Sequence, residues 1–250
     1  MSTALCLHDE APPPASPLVR CWSETDNPLP VRIIRAPSQS SSHSFPSGSP
    51  PWMTSGPNGK PFDFCACIQQ LCADIAYRCK TLDHIDVSRI LFATTQARSA
   101  RSFGLQARVT PLRFREGTLI KRRGGRNFQV QRYFVGAREM LYVMTFCLPR
   151  FLDQAFDDKL ITLFHELYHI SPAFDGDLRR HEGRYNLHSH SKRSYDEQMA
   201  HLARAYLGDG ADPALHGFLR LNFAQLQHRH DKVLGVVVPR PKLVPVRLKK

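Results

Sequence analysis

Residues 160–170 read LITLFHELYHI. Apolar side chains fall on nearly every face of this run when it is wound as a helix, which predicts a helix buried in the middle of a domain. Into that helix the sequence places His165, Glu166 and His169. Residues four apart lie one turn apart on the same face, with Cβ atoms about 5–6 Å from each other, so the two imidazoles can converge on one point. Burying two histidines and a glutamate without compensation is costly, so the three residues are expected to share a purpose.

The spacing His-Glu-x-x-His matches a known chemical arrangement, in which two imidazoles hold Zn²⁺ and the neighbouring glutamate reaches a water acidified by the metal. The glutamate then takes the water's proton during attack on a carbonyl. His165 and His169 are therefore candidate ligands, and Glu166 is the candidate base. A third ligand is needed, and five of the twelve histidines fall between 165 and 190: His165, His169, His181, His188 and His190. Asp175 sits six residues after His169, at the offset of the third ligand in HExxHxxGxxH sequences, but Pro172 stands where that pattern has glycine. Proline holds φ near −65° and cannot take a left-handed turn, which argues against Asp175. His181 follows Arg179 and Arg180, whose charge disfavours a nearby dication. His188 is the preferred third ligand, with His190 close behind. Arg184, Tyr185, His190 and Tyr195 are candidates to stabilise an oxyanion. Asp175 and Asp177 are candidates to orient ligand imidazoles.

Outward from this helix the pattern is mixed. Phe64, Ile68, Leu71, Ile75 and Cys79 recur at helical spacing and predict a core helix over about 63–80. Its four cysteines (Cys65, Cys67, Cys72, Cys79) could suggest a metal, but Cys72 and Cys79 lie on a stripe of small apolar residues where a buried thiol is an ordinary filler. Short β-rich runs follow at 89–94, 105–114, 118–121, 128–134 and 139–147, with Gly124 and Gly125 as a hairpin turn. The hairpin tip carries Lys121, Arg122, Arg123 and Arg126, read as a solvated tip with phosphate contact as the alternative. The helix bearing the histidines is expected over about 152–170. A third helix is expected from Ser194, capped with Glu197, to about 207. Asp212 and Pro213 open a fourth, running to about 228. The tail 233–246 contains Pro239, Pro241 and Pro245, which limits it to an edge strand or an extended strap.

The first 60 residues differ in kind. They hold 11 of the 19 prolines and a serine cluster over 38–49, a composition that buries little, so a disordered tail over 1–60 and a single folded domain over 61–250 are expected. The 250 residues are 42% hydrophobic and 22% charged, which excludes a wholly disordered, collagen-like or coiled-coil chain. No apolar run approaches the roughly 18 residues of a membrane helix, and the N-terminus is too short and acidic for a signal peptide. The seven cysteines show no paired CxxC spacing, so neither a disulfide framework nor a zinc ribbon is indicated and a reducing cytoplasm fits. A net charge of +12 suits a polyanionic neighbour such as nucleic acid as well as simple solubility.

The segment 164–196, FHELYHISPAFDGDLRRHEGRYNLHSHSKRSYD, together with PLRF at 111–114 and LPRFLD at 148–153, resembles bacterial and phage metallopeptidases of the wider zincin-like, SprT-like group. The resemblance covers roughly residues 61–246. It implies an α+β fold, a small zincin-like domain with a short mixed or antiparallel sheet over the HExxH helix. It also implies His165, His169 and His188 as Zn²⁺ ligands, Glu166 as catalytic base, and a protein or peptide substrate. The competing reading is a nucleic-acid-associated protein whose zinc site is structural or idle, binding through the basic hairpin and the C-terminal Arg247, Lys249 and Lys250. Retention of Glu166 favours the enzyme, because a structural site has no use for a base beside its metal.

Overall fold

The computed structural model describes residues 16–23, 29–36, 43–57, 59–98, 103–180 and 192–247. In chain order, strands β1 (Val19–Trp22) and β2 (Val31–Ile33), the one-turn helix α1 (Pro51–Thr54) and strand β3 (Phe62–Asp63) lead into helix α2 (Phe64–Arg78). Seven strands follow: β4 (Ile90–Gln96), β5 (Ala107–Pro111), β6 (Ile120–Arg123), β7 (Arg126–Val130), β8 (Arg132–Val135), β9 (Arg138–Met140) and β10 (Tyr142–Leu148). The chain ends with helices α3 (Phe156–Tyr168), α4 (Lys192–Gly208), α5 (Pro213–His216) and α6 (Phe223–His230), then strands β11 (Val233–Val236) and β12 (Leu243–Val246). The class is α+β, as the sequence suggests. Among the described residues no helix is long and apolar enough to cross a membrane.

The central sheet has the order β4-β10-β5, with β10 parallel to β4 and antiparallel to β5, so it is short and mixed. Side chains alternate across a strand, and here both faces are covered. Ile90, Phe92, Tyr142, Met144 and Phe146 enter the main core with α2 and α3. Leu91, Ala93 and Val143 enter a second core with Trp22, Val130, Tyr133 and Met140. Helix α2 begins where the Asp63 carboxylate accepts from the Ala66 N–H, and it buries Ile68, Leu71, Cys72 and Ile75. Helix α3 carries Asp157 and Asp158 in its first turn, where negative charge complements the helix dipole. It starts four residues later than expected because residues 149–154 after β10 form turns.

The structure corrects several expectations. The described part of residues 1–60 is folded onto the domain: β1 pairs in parallel with β8, β2 pairs with β11, and Trp22 and Ile34 are 7% and 1% exposed. A few apolar residues paired to preformed strands offset an ordering entropy that the segment's own composition does not cover. Helix α4 starts at Lys192, so Ser194 lies inside it and is not the cap. The expected single helix over 212–228 is broken. After α5 the chain tightens into a 3₁₀ turn (Gly217–Arg220), and α6 restarts from a capping box of Asn222 and Gln225. The run 128–134 splits at Gln131 into β7 and β8, which join different sheets. In the tail, β11 is the centre of the sheet β2-β11-β3, its ladder complete before the first proline, whereas β12, which holds Pro245, is an edge as expected. The Gly124–Gly125 turn does form the predicted hairpin, with φ of 54° and 74° and Arg123 opposite Arg126.

Candidate active site

Helix α3 lies against β5, the edge strand of the central sheet. Its last turn and a half positions the three residues singled out by the sequence. The His165 and His169 rings meet edge to face, with centroids 4.6 Å apart and planes at 81°, and their Nε2 atoms are 2.9 Å apart. Glu166 points elsewhere. It is 8% exposed, and its Oε2 accepts from the backbone N–H of Val109 on β5 at 2.7 Å. Burial pushes the Glu166 carboxyl up to about 7, with the Val109 N–H and the Arg108 charge pulling it partly back.

The surroundings of the pair come from two directions. The chain after α3 folds back through a short loop, and the Arg179 N–H donates to the His169 carbonyl at 2.7 Å. The Arg179 Nε donates to the Tyr168 carbonyl, and its guanidinium lies 4.1 Å over the Tyr168 ring. A cation thus occupies the negative end of α3. From the other direction, α4 brings Tyr195, 2% exposed, whose ring packs edge-on to His165 at 4.9 Å and stacks on His169 at 5.9 Å. Burial pushes the Tyr195 hydroxyl well above its ordinary range. The next residue, Asp196, puts Oδ1 at 4.0 Å from His165 Nδ1. That is ion-pair range and too long for a hydrogen bond.

Of the sequence-predicted residues, His165, Glu166, His169 and Tyr195 are brought together. Asp175 and Asp177 are engaged inside the loop: Asp175 accepts from the Asp177 N–H, and Asp177 holds Arg180 through two hydrogen bonds and accepts from the Glu116 N–H. The preferred third ligand His188 lies outside the described residues, as do His181, His190, Arg184 and Tyr185. Among the described residues no group of three His, Cys, Asp or Glu side chains could hold a metal. Asp196 escaped the sequence reading. Its signal was its place beside Tyr195 on a helix facing the histidines, which sequence spacing does not reveal.

The donor chemistry fits zinc. Two Zn–N bonds of about 2.0–2.1 Å at a tetrahedral angle place the nitrogens about 3.3 Å apart. The 2.9 Å separation is a few tenths of an ångström from that.

Comparison with protein-family models, with curated proteins and with solved structures finds no match to this chain.

Proposed function

We propose that the chain is a zinc-dependent peptidase of zincin-like architecture, with Glu166 as the general base. The observation that carries this reading is the pair of Nε2 atoms 2.9 Å apart, one residue from a buried carboxylate anchored to an edge strand. Zn²⁺ held by His165, His169 and His188 would supply a water activated for attack and a polarised scissile carbonyl. The chain's own residues do the rest. Glu166 accepts the proton, its reach fixed by the Val109 N–H. Tyr195, packed against both rings, holds the imidazoles in place, and Asp196 puts its negative charge near His165. The outer edge of β5 pairs with no strand among the described residues, and apart from the Val109 N–H given to Glu166 it would align an extended protein or peptide substrate. A cytoplasmic setting is part of this proposal, on the ground that the cysteines lack paired spacing.

A second reading has one observation in its favour. On the ribbon β6–β7, Lys121, Arg122, Arg123 and Arg126 are all exposed, and no ion pair to a carboxylate forms at any of them among the described residues. This is a surface suited to phosphates, and it fits a nucleic-acid-associated protein with an idle zinc site.

The discriminating experiment is metal analysis and a proteolysis screen of wild type and Glu166→Gln. Glutamine keeps the size and can still accept from Val109, so fold and zinc content should survive while peptidase activity falls about 10²-fold or more. His188→Ala should weaken zinc binding strongly and His181→Ala should not; the reverse result moves the third ligand. If wild type and Glu166→Gln behave alike on every protein substrate, yet both bind DNA with a steep salt dependence lost on neutralising Arg122, Arg123 and Arg126, the second reading replaces the first.

A further inference from the structure

A cavity of about 680 Å³ opens on a different part of the molecule, between the segment around α1, the start of α2, α5 with its 3₁₀ turn, and the end of α6. Its size falls within the range of small-molecule sites. The walls are apolar and aromatic: Trp52, Phe62, Leu215 and Phe218. Three groups with positive or proton-donating capacity line the same space, namely Arg220, Arg229 and His216.

Those three are unusual in what they lack. Neither guanidinium pairs with a carboxylate among the described residues. Arg229 spends only its Nε, donating to the Ser55 carbonyl at 2.8 Å, and Arg220 lies 4.3 Å over the Phe156 ring. His216 is 5% exposed, yet its Nδ1 has no hydrogen-bond partner. Two guanidiniums with no carboxylate beside an apolar cavity leave a surplus of positive charge that an entering anion would balance, whereas the His216 Nδ1 is fully enclosed and does not face the space. The site is also built. Backbone at Gly56 lies so close to Arg229 that a side chain there would collide with it, and Trp52 packs over Gly217. The segment that sequence composition assigned to a tail therefore contributes Trp52 to the wall.

We infer that this cavity is a binding site for a small organic anion with a carboxylate head and an aromatic or branched apolar body. The planar head suits the fork of a guanidinium, which binds carboxylates through paired hydrogen bonds. The body lies against Trp52, Phe62 and Phe218. None of the lining residues belongs to α3, and the link between the two is Phe156, the first residue of that helix, whose ring touches both His216 and Arg220. Nine residues separate Phe156 from His165, about 14 Å along the helix.

The probe is 4-phenylbutyrate, titrated into the full-length protein and followed by tryptophan fluorescence and calorimetry. Trp52 is 47% exposed at the cavity, while the other tryptophan, Trp22, is buried in the second core, so the signal reports this site. Saturable low-millimolar binding is expected, with 4-phenylbutan-1-ol and acetate much weaker and phenyl phosphate distinguishing a phosphate head from a carboxylate one. Arg220→Met, at an exposed rim position and so tolerated by the fold, should weaken binding several-fold. The pair Arg220→Met and Arg229→Met should weaken it at least about tenfold. Ala214→Phe, which fills the mouth and leaves every charge in place, should do the same. His165→Ala should bind as wild type, so failure of the peptidase reading would leave this one standing. Absent saturation, equal binding of the alcohol, or unchanged affinity in both the arginine pair and Ala214→Phe would overturn it.

Discussion

Helices α2 and α3, each counted with its C-cap residue, both carry side chains that bind metals, four cysteines on one and two histidines on the other, and only one brings them together. On α3 the i, i+4 spacing brings the two rings edge to face within a single turn. On α2, Cys65 and Cys72 share a face but lie seven residues apart, about 10.5 Å along the axis, while Cys65 and Cys67 point to different faces. The environments differ as well. Cys65 and Cys72 are 5% and 0% exposed in the main core, and burial pushes the Cys65 and Cys67 thiols up to about 12 and about 11. A metal requires the thiolate, which such burial suppresses. Residue type makes a site possible, and spacing together with the face presented decides whether one exists.

The most direct way to break this comparison is to remove the histidines. His165→Ala or His169→Ala should abolish binding of about one Zn²⁺ per chain, because a site of three protein ligands reduced to two is no longer enclosed. Inductively coupled plasma analysis of the purified variants reads this directly. Full zinc occupancy in both would place the metal elsewhere and undo the reading of α3.

How much of this was legible in the sequence depends on range. The HELYH geometry follows from local periodicity, and so do the α2 core stripe and the Gly124–Gly125 turn. What composition misread is the N-terminal segment, because Trp22 and Ile34 are buried by strands more than 100 residues away. Composition measures how much a segment can bury alone, not what an existing sheet offers it. Asp196 was missed for the same reason: its relation to His165 is made by the packing of α4 on α3.

Deleting residues 1–36 tests that long-range packing. It removes a buried tryptophan and a buried isoleucine and uncovers the edges of β8 and β11. At about 2 kcal/mol for each large apolar side chain returned to water, a loss of roughly 4 kcal/mol is expected in urea unfolding. A truncated chain as stable as the full one would restore the reading of a dispensable tail.

The two ends of α3 offer a finer contrast. Lys159 is 1% exposed, and its Nζ donates to the carbonyls of Leu219 and Leu221 at 2.8 and 2.7 Å. Burial lowers its ammonium from an ordinary 10.5 to about 7, against the opposing pull of Asp153. A neutral amine still has two N–H groups, enough for both carbonyls. Between about pH 7 and 10.5 the unfolded chain holds this proton while the folded one has released it, so stability rises with pH across that window. Relative to Lys159→Met, the wild type should gain on the order of 3 kcal/mol between pH 6.5 and 9.5, measured by denaturant unfolding. Parallel pH profiles for the two proteins would show that Lys159 keeps its charge in the folded state.

The smallest effect expected is the one that sharpens the opening contrast most. Cys67 on α2 and Cys79 at its C-cap are half-buried, and replacing both with alanine should leave zinc content unchanged and stability within about 0.5 kcal/mol, since neither thiol is fully enclosed. Cys72→Ala should cost more, on the order of 1 kcal/mol, because its sulfur is wholly buried and leaves a small cavity, yet it too should retain the metal. In native protein at pH 8 a maleimide should react slowly or not at all with Cys65 and Cys72, whose burial both blocks access and keeps the sulfur protonated. The discriminating quantity is the zinc content, not the stability. If any α2 cysteine variant lost metal while the histidine variants kept it, the helix with the wrong spacing would hold the ion, and geometry within a single turn could not be what selects the site.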